Sequence, residues 1–511
     1  MTKKKLIESL PPVQRRNFMK LLGLALAAPA VPAGVRFAAR ELALGEAKAA
    51  EMEGQEPIYF IEINLRDQWD FGHVFVAPGL ATEPNLIRGS DGRKCAMYFM
   101  PEELLQRPND VFLTPLALPL DPHLDTIAMI ETCELGIGDI HGHEASSALR
   151  SPGRSKSPGP GRMSMADNEP VPYAPGNQDH YSSTPTPASL HNHWMRQLDP
   201  TIRSGVAFKG VGRDHTAYHF GAGLPGAELD RMQTRQSLFN AFPDKLEDFN
   251  VVPTKEQASA LIDVLTQADA NFLDKYGFVE GAGPVHQANL DTSRNLLYVG
   301  EPKLITLPLS EAEVAYWSEG VPDQVTSKPK ANIWEQCAWA FKLISNDLVR
   351  TFAIEFDYID WHDERPENIM DTLAMQTVLP LARLIESLKL AGIYDRTLIA
   401  VYTLDSGRSP AANSSGSEGK CGLMLAGGMI KGGYYGDVGV DGPEADGHRY
   451  YYRSPDPETG APTAKVTDGS GRLSGAHVWK TVIKGLNIPD EVADQFPDVQ
   501  GVPHMPWLLN A

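Results

Sequence analysis

Apolar residues are grouped along the chain in short blocks that predict alternating strands and helices. Residues 57–65 (PIYFIEINL) and 125–132 (DTIAMIET) are runs of β-forming residues beside turn-forming ones, and each run predicts a buried strand. Residues 254–276 and 334–348 repeat apolar side chains at helical spacing, and Thr254 is placed to cap the first of these two helices. The pattern is typical of an α/β protein.

The clearest pattern lies in the last third of the chain. Strands are predicted at residues 351–358, 397–404 and 421–426, and helices at residues 366–390 and around 481–486. Pro380 predicts a kink in the long helix, and Gly392 predicts its C-terminal stop. A strand, a helix and a strand in this order form a βαβ unit, which requires parallel pairing. We therefore expect a mostly parallel central sheet with helices on both faces.

One segment interrupts this alternation. Residues 146–189 are rich in Ser, Pro and Gly and lack periodicity, which predicts a long loop insertion. The hydrophobic content of 42% is high enough for a sizeable core. We therefore expect residues 50–511 to form a single α/β domain that carries this insertion.

The first 49 residues predict an export signal. Residues 15–20 (RRNFMK) match the R-R-x-F-x-K core of a bacterial twin-arginine signal, and the apolar residues 21–35 are too few for a stable membrane span. Residues 47–49 (AKA) suit a cleavage site, and a basic amphipathic helix is the alternative for the whole segment. The signal implies the twin-arginine translocase as a partner during export and a periplasmic or extracellular location.

Charge and cysteine content narrow the function classes. The chain has 46 Lys and Arg against 65 Asp and Glu, so its formal net charge is −19. Such a field repels phosphate backbones and anionic lipids, and we expect no nucleic-acid partner. Four cysteines in 511 residues exclude a disulfide scaffold, and the lack of a C-x-x-C motif disfavours a metal–thiolate site. A single disulfide that forms after export is compatible with the sequence, which does not assign its two cysteines.

Acidic residues and a histidine follow three of the predicted strands. In chain order they are Asp70, Asp360, His362, Asp405 and, somewhat further on, Glu418. Ligands of open α/β sheets bind beyond the carboxyl ends of the strands. Carboxylates with an imidazole are suitable ligands for a divalent ion such as Zn²⁺, Ca²⁺, Mg²⁺ or Mn²⁺. Taken singly, each acid equally predicts a helix cap or a solvated turn.

Two His-x-His pairs are further candidate ligands. They are His141 with His143 and His191 with His193. On an extended chain alternate residues face the same way, so each pair could bind one ion; exposed loop histidines are the alternative. No nucleophile stands out, because neither a Cys/Ser-x-Pro-x-Arg motif at a cysteine nor Gly-x-Ser-x-Gly at a strand end is present. The chain has no Gly-rich loop between a predicted strand and a predicted helix, so the sequence does not support a nucleotide cofactor.

Around the acids the chain resembles the exported bacterial proteins of domain of unknown function 1501 and its relative 1552. Residues 65–70 (LRDQWD) are similar to L-R-G-G-x-D-G, residues 359–362 (IDWH) to W-D-T-H, and residues 404–408 (LDSGR) to S-E-F-G-R. Residues 427–433 (GGMIKGG) are similar to G-G-x-V-K-G-G. The resemblance implies an alkaline-phosphatase/sulfatase-like fold.

The resemblance also implies a metal site. Its motifs fall on Asp70, Asp360, His362 and Asp405, and His143 corresponds to a histidine of the family. Where the family has G-T-D-H-G, this chain keeps a carboxylate at Glu418 but has Gly419 instead of the histidine. Loss of an imidazole implies a looser site or one that prefers a harder ion such as Ca²⁺ or Mg²⁺.

These observations predict a metal-dependent hydrolase of phosphate or sulfate esters, acting on a small-molecule or polymer substrate. Arg408 is expected to stabilise the negative charge of the transferred group, with a structural ion pair to Asp405 as the alternative. A non-catalytic exported protein that binds a surface polymer or a protein partner is the rival hypothesis. The missing histidine and the unassigned nucleophile favour that rival.

Overall fold

A computed structural model describes residues 57–65, 69, 71–84, 86, 99–134, 184–198, 204–208, 224, 227, 229–232, 309–323, 332–355, 367–403, 420–444, 447–467, 473–497 and 499–510. The predicted export signal at 1–49 and the predicted helix at 254–276 lie outside the described residues. Most of the predicted insertion at 146–189 also lies outside them, and its last three residues already belong to a helix.

The elements follow one another in chain order. The strands are β1 (Tyr59–Leu65), β2 (Phe75–Val76), β3 (Leu105–Arg107), β4 (Val111–Leu113), β5 (Ile127–Glu134), β6 (Val206–Phe208), β7 (Asp230–Met232), β8 (Thr351–Glu355), β9 (Thr397–Thr403), β10 (Lys420–Ala426), β11 (Gly433–Tyr435), β12 (Asp437–Glu444), β13 (Gly447–Arg453) and β14 (Leu473–Ser474). The helices are α1 (Pro78–Ala81), α2 (Pro187–Leu198), α3 (Glu311–Ser318), α4 (Ile333–Ser345), α5 (Glu367–Leu390), α6 (Gly475–Gly485) and α7 (Asp490–Ala493). Short 3-10 helices occupy Phe71–His73, Pro101–Glu103, Pro115–Thr126, Tyr394–Arg396 and Pro506–Leu508.

The main sheet has nine strands within the described part of the chain. Its order is β11-β5-β10-β9-β1-β8-β6-β7, and β14 adds to β5. Among these strands only β10 runs antiparallel to its neighbours, and all other pairings are parallel. The prediction of a mostly parallel sheet is therefore confirmed. The βαβ unit β8–α5–β9 has β1 inserted between its two strands.

The central strand β1 is buried along its whole length. Its odd-numbered residues, such as Ile61 and Ile63, pack in one apolar cluster with helices α3, α4 and α5. Phe60 points to the opposite face, where a second cluster joins the sheet to helices α2, α6 and α7. Alternation of side chains along a strand explains this division. Helices on both faces were predicted, and this prediction is also confirmed.

Local sequence explains where the predicted elements end. Helix α5 continues through Pro380 to Leu390, and Gly392 follows it at a positive φ of 69°, which glycine adopts without strain. Strand β5 begins two residues later than predicted because Asp125 and Thr126 belong to a 3-10 helix, in which Thr126 Oγ1 donates to the His123 carbonyl at 3.1 Å.

Two smaller sheets lie beside the main one. Strands β2, β4 and β3 form an antiparallel sheet, and β12 and β13 form a hairpin. The hairpin is attached to α1 by Asp437, whose Oδ1 accepts from the Gly79 amide at 2.8 Å and whose Oδ2 accepts from the Tyr451 hydroxyl at 3.2 Å. Among the described residues, no helix has the length and apolarity needed to cross a membrane.

Candidate functional site

The carboxyl ends of three neighbouring strands meet at one edge of the main sheet. Strand β1 lies between β8 and β9 and is parallel to both. Asn64 of β1 is level with Glu355 of β8 and with Tyr402 of β9. The last residues of these three strands therefore form one row, which we call the carboxyl edge.

Three further strands reach the carboxyl edge. Strand β10 is antiparallel to β9, so its first residue, Lys420, lies at this edge. Glu134, the last residue of β5, is level with Lys420, and Ser474 of β14 is level with Glu134. Helix α6 begins directly after Ser474. The edge thus combines five strand ends, one strand start and one helix start.

Apart from His191 and His193, the candidate ligands and the candidate catalytic arginine lie outside the described residues. These are Asp70, Asp360, His362, Asp405, Arg408, Glu418, His141 and His143. Along the chain, Asp70, Asp360 and Asp405 follow a described strand end at the carboxyl edge by at most five residues, and Glu418 precedes the start of β10 by two. His143 follows the last residue of β5 by nine positions. The assignment of these residues stays a prediction.

The two chain neighbours of Asp70 are fixed in the described structure. Trp69 is buried and its Nε1 donates to the Leu373 carbonyl of α5 at 3.3 Å. Phe71 is buried against Gly422 of β10, where an added Cβ would lie only 2.4 Å from Phe71 Cγ. Trp69 is therefore held against α5, and Phe71 is held against β10.

A histidine–carboxylate contact strengthens the same connection. His73 is buried, and its Nε2 lies 2.7 Å from Asp371 Oδ1 on α5. The His73 carbonyl accepts from the buried Thr114 hydroxyl at 3.0 Å. The first contact joins the 3-10 helix after β1 to α5, and the second joins it to the residue that follows β4. Spacing alone did not single out His73 or Asp371.

Two polar side chains are buried on β1 where an apolar strand was expected. Glu62 is fully buried and Asn64 is 2% exposed. By strand alternation both point to the face covered by α2 and α6, as Phe60 does. Among the described residues, neither Oδ1 nor Nδ2 of Asn64 has a hydrogen-bond partner. Buried amides are nearly always paired, so Asn64 is an exception among the polar groups at the carboxyl edge.

A serine and a histidine lie at the start of α6. Ser474 Oγ is 2.8 Å from His477 Nδ1, and both are partly exposed. Burial lowers the pKa of His477 below its usual value, which favours the neutral form of its ring. A neutral imidazole can accept or donate a proton at this edge. The S-x-x-H spacing at a helix start is the signal in the sequence that could have identified the pair.

The prediction for His191 and His193 is wrong. Both residues are buried and lie on helix α2. They are therefore neither alternate residues of an extended chain nor exposed loop histidines. Residues two apart on a helix point in nearly opposite directions, which prevents joint binding of one ion. His191 Nδ1 lies 2.8 Å from Thr351 Oγ1, at the amino end of β8.

The donor set at the carboxyl edge suits a divalent cation in part. Within the described ranges, no three His, Cys, Asp or Glu side chains come together as metal ligands. The Asn64 carboxamide nevertheless offers a buried oxygen atom as a possible metal ligand, and this oxygen has no hydrogen-bond partner among the described residues. Amide and carboxylate oxygens are preferred ligands of hard cations. The described residues are therefore compatible with a cation held mainly by oxygen.

Comparisons with known proteins give structural likenesses at low identity. Ps i-CgsB in complex with k-i-k-neocarrahexaose is 11% identical with a TM-score of 0.35, covering 88% of this chain and 76% of that one. The lipoteichoic acid synthase LtaP from Listeria monocytogenes is 10% identical with a TM-score of 0.32, covering 88% and 98%. The PsFucS1 sulfatase from Pseudoalteromonas sp. is 10% identical with a TM-score of 0.34, covering 94% and 77%. No family model and no curated protein matches the chain.

Proposed function

We propose that the chain is an exported, metal-dependent hydrolase of phosphate or sulfate esters, of the alkaline-phosphatase/sulfatase-like kind that its resemblance to domain of unknown function 1501 implies. The observation that carries the proposal is the register of β8, β1 and β9, whose carboxyl ends are level with one another. Candidate ligands follow all three strands by two to seven residues. Such an edge is where open α/β sheets bind ligands.

The proposal gives each candidate residue a role. The acids Asp70, Asp360, Asp405 and Glu418, with His362 and His143, would hold the divalent cation. When bound, the cation would polarise the ester oxygen and activate a water or hydroxyl nucleophile. Arg408 would pair with the anionic group of the substrate, and it would stabilise the charge that develops there. The anchoring of Trp69 and Phe71 would fix Asp70 relative to the other ligands.

The function is tested by turnover of p-nitrophenyl phosphate and p-nitrophenyl sulfate. Chelator-treated protein should be inactive, and added Zn²⁺, Ca²⁺, Mg²⁺ or Mn²⁺ should restore hydrolysis of one of the two esters. Arg408→Ala should lower kcat by about a hundredfold or more, as expected for a lost charge-stabilising donor. Arg107→Ala is the matched control, because Arg107 pairs with Asp121 away from the carboxyl edge. Equal rates with and without metal would refute the hydrolase.

The rival is a binding protein with the same fold. Gly419 stands where the resemblance has a ligand histidine, and this substitution favours weak or absent catalysis. Metal analysis combined with turnover separates the two hypotheses. One or two tightly held ions per chain with ester turnover support the hydrolase. Binding of an anionic surface polymer without any turnover supports the rival.

Export is proposed from residues 1–49 alone. The translocase recognises the paired guanidinium groups of Arg15 and Arg16. Replacement of both by Lys should leave a folded, uncleaved precursor in the cytoplasm, as seen by fractionation and immunoblotting. A double variant that still accumulates outside the cytoplasm at the normal level would refute the twin-arginine assignment.

A further inference from the structure

Asn64 stands out among the buried polar groups at the carboxyl edge. Its side chain is 2% exposed, and neither of its two polar atoms has a hydrogen-bond partner among the described residues. Asn192 is equally buried, but both its polar atoms are hydrogen-bonded. Its Oδ1 accepts from the Gly205 amide at 2.8 Å, and its Nδ2 donates to the Ala227 carbonyl at 3.2 Å. Burial alone therefore does not explain the unpaired state of Asn64.

The surroundings of Asn64 decide which kind of ligand suits it. It lies level with Glu355 and Tyr402 in the last row of the sheet. One row earlier on the same face, Glu62 lies between Ala353 and Ala400. The same face carries the apolar side chains of a core cluster and, at the amino end of β8, the polar side chains of Thr351 and His191. The chain as a whole has an excess of acids. In an acidic, desolvated environment a cation suits the free amide oxygen better than an anion does.

We propose that Asn64 is a binding residue of the candidate cation site, to which its Oδ1 contributes a neutral oxygen ligand at the carboxyl end of β1. This inference rests on the proposed function, because it uses the same edge of the sheet. In this arrangement both the oxygen and the amino group of the carboxamide have a binding partner. The oxygen binds the cation, and the amino group is left to donate to a carboxylate that also holds it.

The test measures cation affinity of the chelator-treated full chain by calorimetric titration with Ca²⁺, Mg²⁺ or Mn²⁺ alone. Asn64→Leu keeps the volume and removes both polar atoms, so it should raise Kd about tenfold or more. Its melting temperature without metal should not fall. Asn64→Asp replaces a neutral oxygen by a charged one and should lower Kd several-fold. Asn192→Leu, the matched control, should lower the melting temperature and leave Kd within about twofold of the original.

The outcomes separate this inference from the function on which it rests. If the original chain binds none of these three cations and, in a further titration, no Zn²⁺ either, the cation site and the inference fail together. If the original chain binds a cation but Asn64→Leu binds it equally well, only the role of Asn64 is refuted. If Asn64→Leu does not fold, the cation affinity of Asn64→Asp tests the proposal instead. An unchanged Kd in Asn64→Asp would overturn it.

A second, independent observation concerns two of the four cysteines. Cys421 of β10 and Cys133 of β5 are Cα partners across an antiparallel pair of strands. Opposite residues of a regular antiparallel pair have Cα atoms about 4.5–5.5 Å apart, which lies within the range of about 4.4–6.8 Å that a disulfide requires. The register of β10 on β5 shifts next to this pair, between Cys421 and Leu423. Cys337, by contrast, is a free cysteine buried on α4, and burial raises the pKa of its thiol.

From this backbone register we infer that Cys133 and Cys421 are a disulfide-forming pair, located at the carboxyl edge beside the start of β10. The oxidant is a second disulfide, such as oxidised glutathione or an exported thiol–disulfide oxidoreductase. The two cysteine thiols lose two protons and two electrons and form one S–S bond. The oxidant takes up both and becomes two thiols. The inference does not depend on the cation site.

The test is thiol counting by alkylation and mass spectrometry on the full chain. Protein folded in reducing buffer is treated with oxidised glutathione, denatured and alkylated. We expect Cys133 and Cys421 to be protected and recovered as one cross-linked peptide, and Cys337 to be alkylated. Cys133→Ser should abolish the cross-link, and the control Cys337→Ser should keep it. Full alkylation of both residues after oxidation, or a cross-link to Cys95 instead, would overturn the inference.

Discussion

Two equally buried asparagines mark two regions of the molecule. In the closed region around Asn192, protein groups satisfy the buried amide, whereas at the carboxyl edge the amide of Asn64 has no partner among the described residues. Asn192 lies on α2 and has protein partners for both its oxygen and its nitrogen. Asn64 lies at the carboxyl end of β1 and has none among the described residues. An unsatisfied buried amide costs about 1–3 kcal/mol. A cost of this size is accepted where a ligand, not the fold, completes the hydrogen bonds.

The difference predicts opposite effects of the same substitution. Asn192→Leu should lower the free energy of unfolding by about 3 kcal/mol, because it leaves the Gly205 amide and the Ala227 carbonyl buried and unpaired. Asn64→Leu should change it by less than about 1 kcal/mol without metal, since no bond is lost. Urea denaturation of both chelator-treated variants measures this contrast. Equal destabilisation by the two substitutions would remove the distinction between the two regions.

The closed region should also determine the response to acid. Burial, with a smaller contribution from Arg350, lowers the pKa of His191 from 6.5 to about 3. The unfolded chain therefore binds a proton below pH 6.5 that the folded chain does not, and stability falls as pH drops from 6.5 towards 3. The loss should be roughly 1.4 kcal/mol per pH unit.

His191→Gln keeps a polar group near Thr351 and should flatten this dependence between pH 6.5 and 5, as measured by urea midpoints. His477→Gln is the comparison variant at the carboxyl edge, where burial also lowers the pKa of a histidine that is, unlike His191, partly exposed. An unchanged pH slope in His191→Gln would mean that other groups cause the acid sensitivity.

Alanine substitutions of two glycines compare the two regions through the smallest change in a side chain. A Cβ at Gly205 would lie 2.6 Å from the Thr351 carbonyl oxygen, and a Cβ at Gly422 would lie 2.4 Å from Phe71 Cγ. Each alanine substitution should cost about 1–3 kcal/mol through overpacking. Only Gly422→Ala displaces Phe71, the neighbour of Asp70, so only this variant should also weaken cation binding. Equal cation affinity of both variants would contradict the position given to Asp70.

Much of the main sheet could be predicted from the sequence because its buried strands are continuous apolar runs. The strand at Thr397–Thr403 and the helix at Glu367–Leu390 agree with their predicted bounds almost residue for residue. The antiparallel direction of β10 could not be predicted, because strand direction is set by the connection and by the neighbouring strands, and neither alters the apolar pattern. The short strands β6 and β7 are only three residues long and have too little periodicity to detect.

The sequence predicted which kinds of residues form the candidate site, but not which side chains are left without a partner there. Acids after strand ends are visible in the sequence, and the parallel register of β8, β1 and β9 explains why they would converge. Asn64 was missed because a single asparagine in an apolar strand carries no motif; its meaning depends on whether a partner lies within reach in three dimensions. His191 was misjudged because the His-x-His pattern does not distinguish an extended chain from a helix.

The most direct test of the cation site is the melting temperature of the chelator-treated full chain before and after addition of Ca²⁺, Mg²⁺ or Mn²⁺. A cation that binds only the folded state should add about 2.7 kcal/mol of stability at 100 times its Kd, and Asp360→Asn should abolish most of that gain. A clear rise in melting temperature, lost in the variant, is the predicted result. Identical melting curves with chelator and with each cation would contradict a cation site at the carboxyl edge.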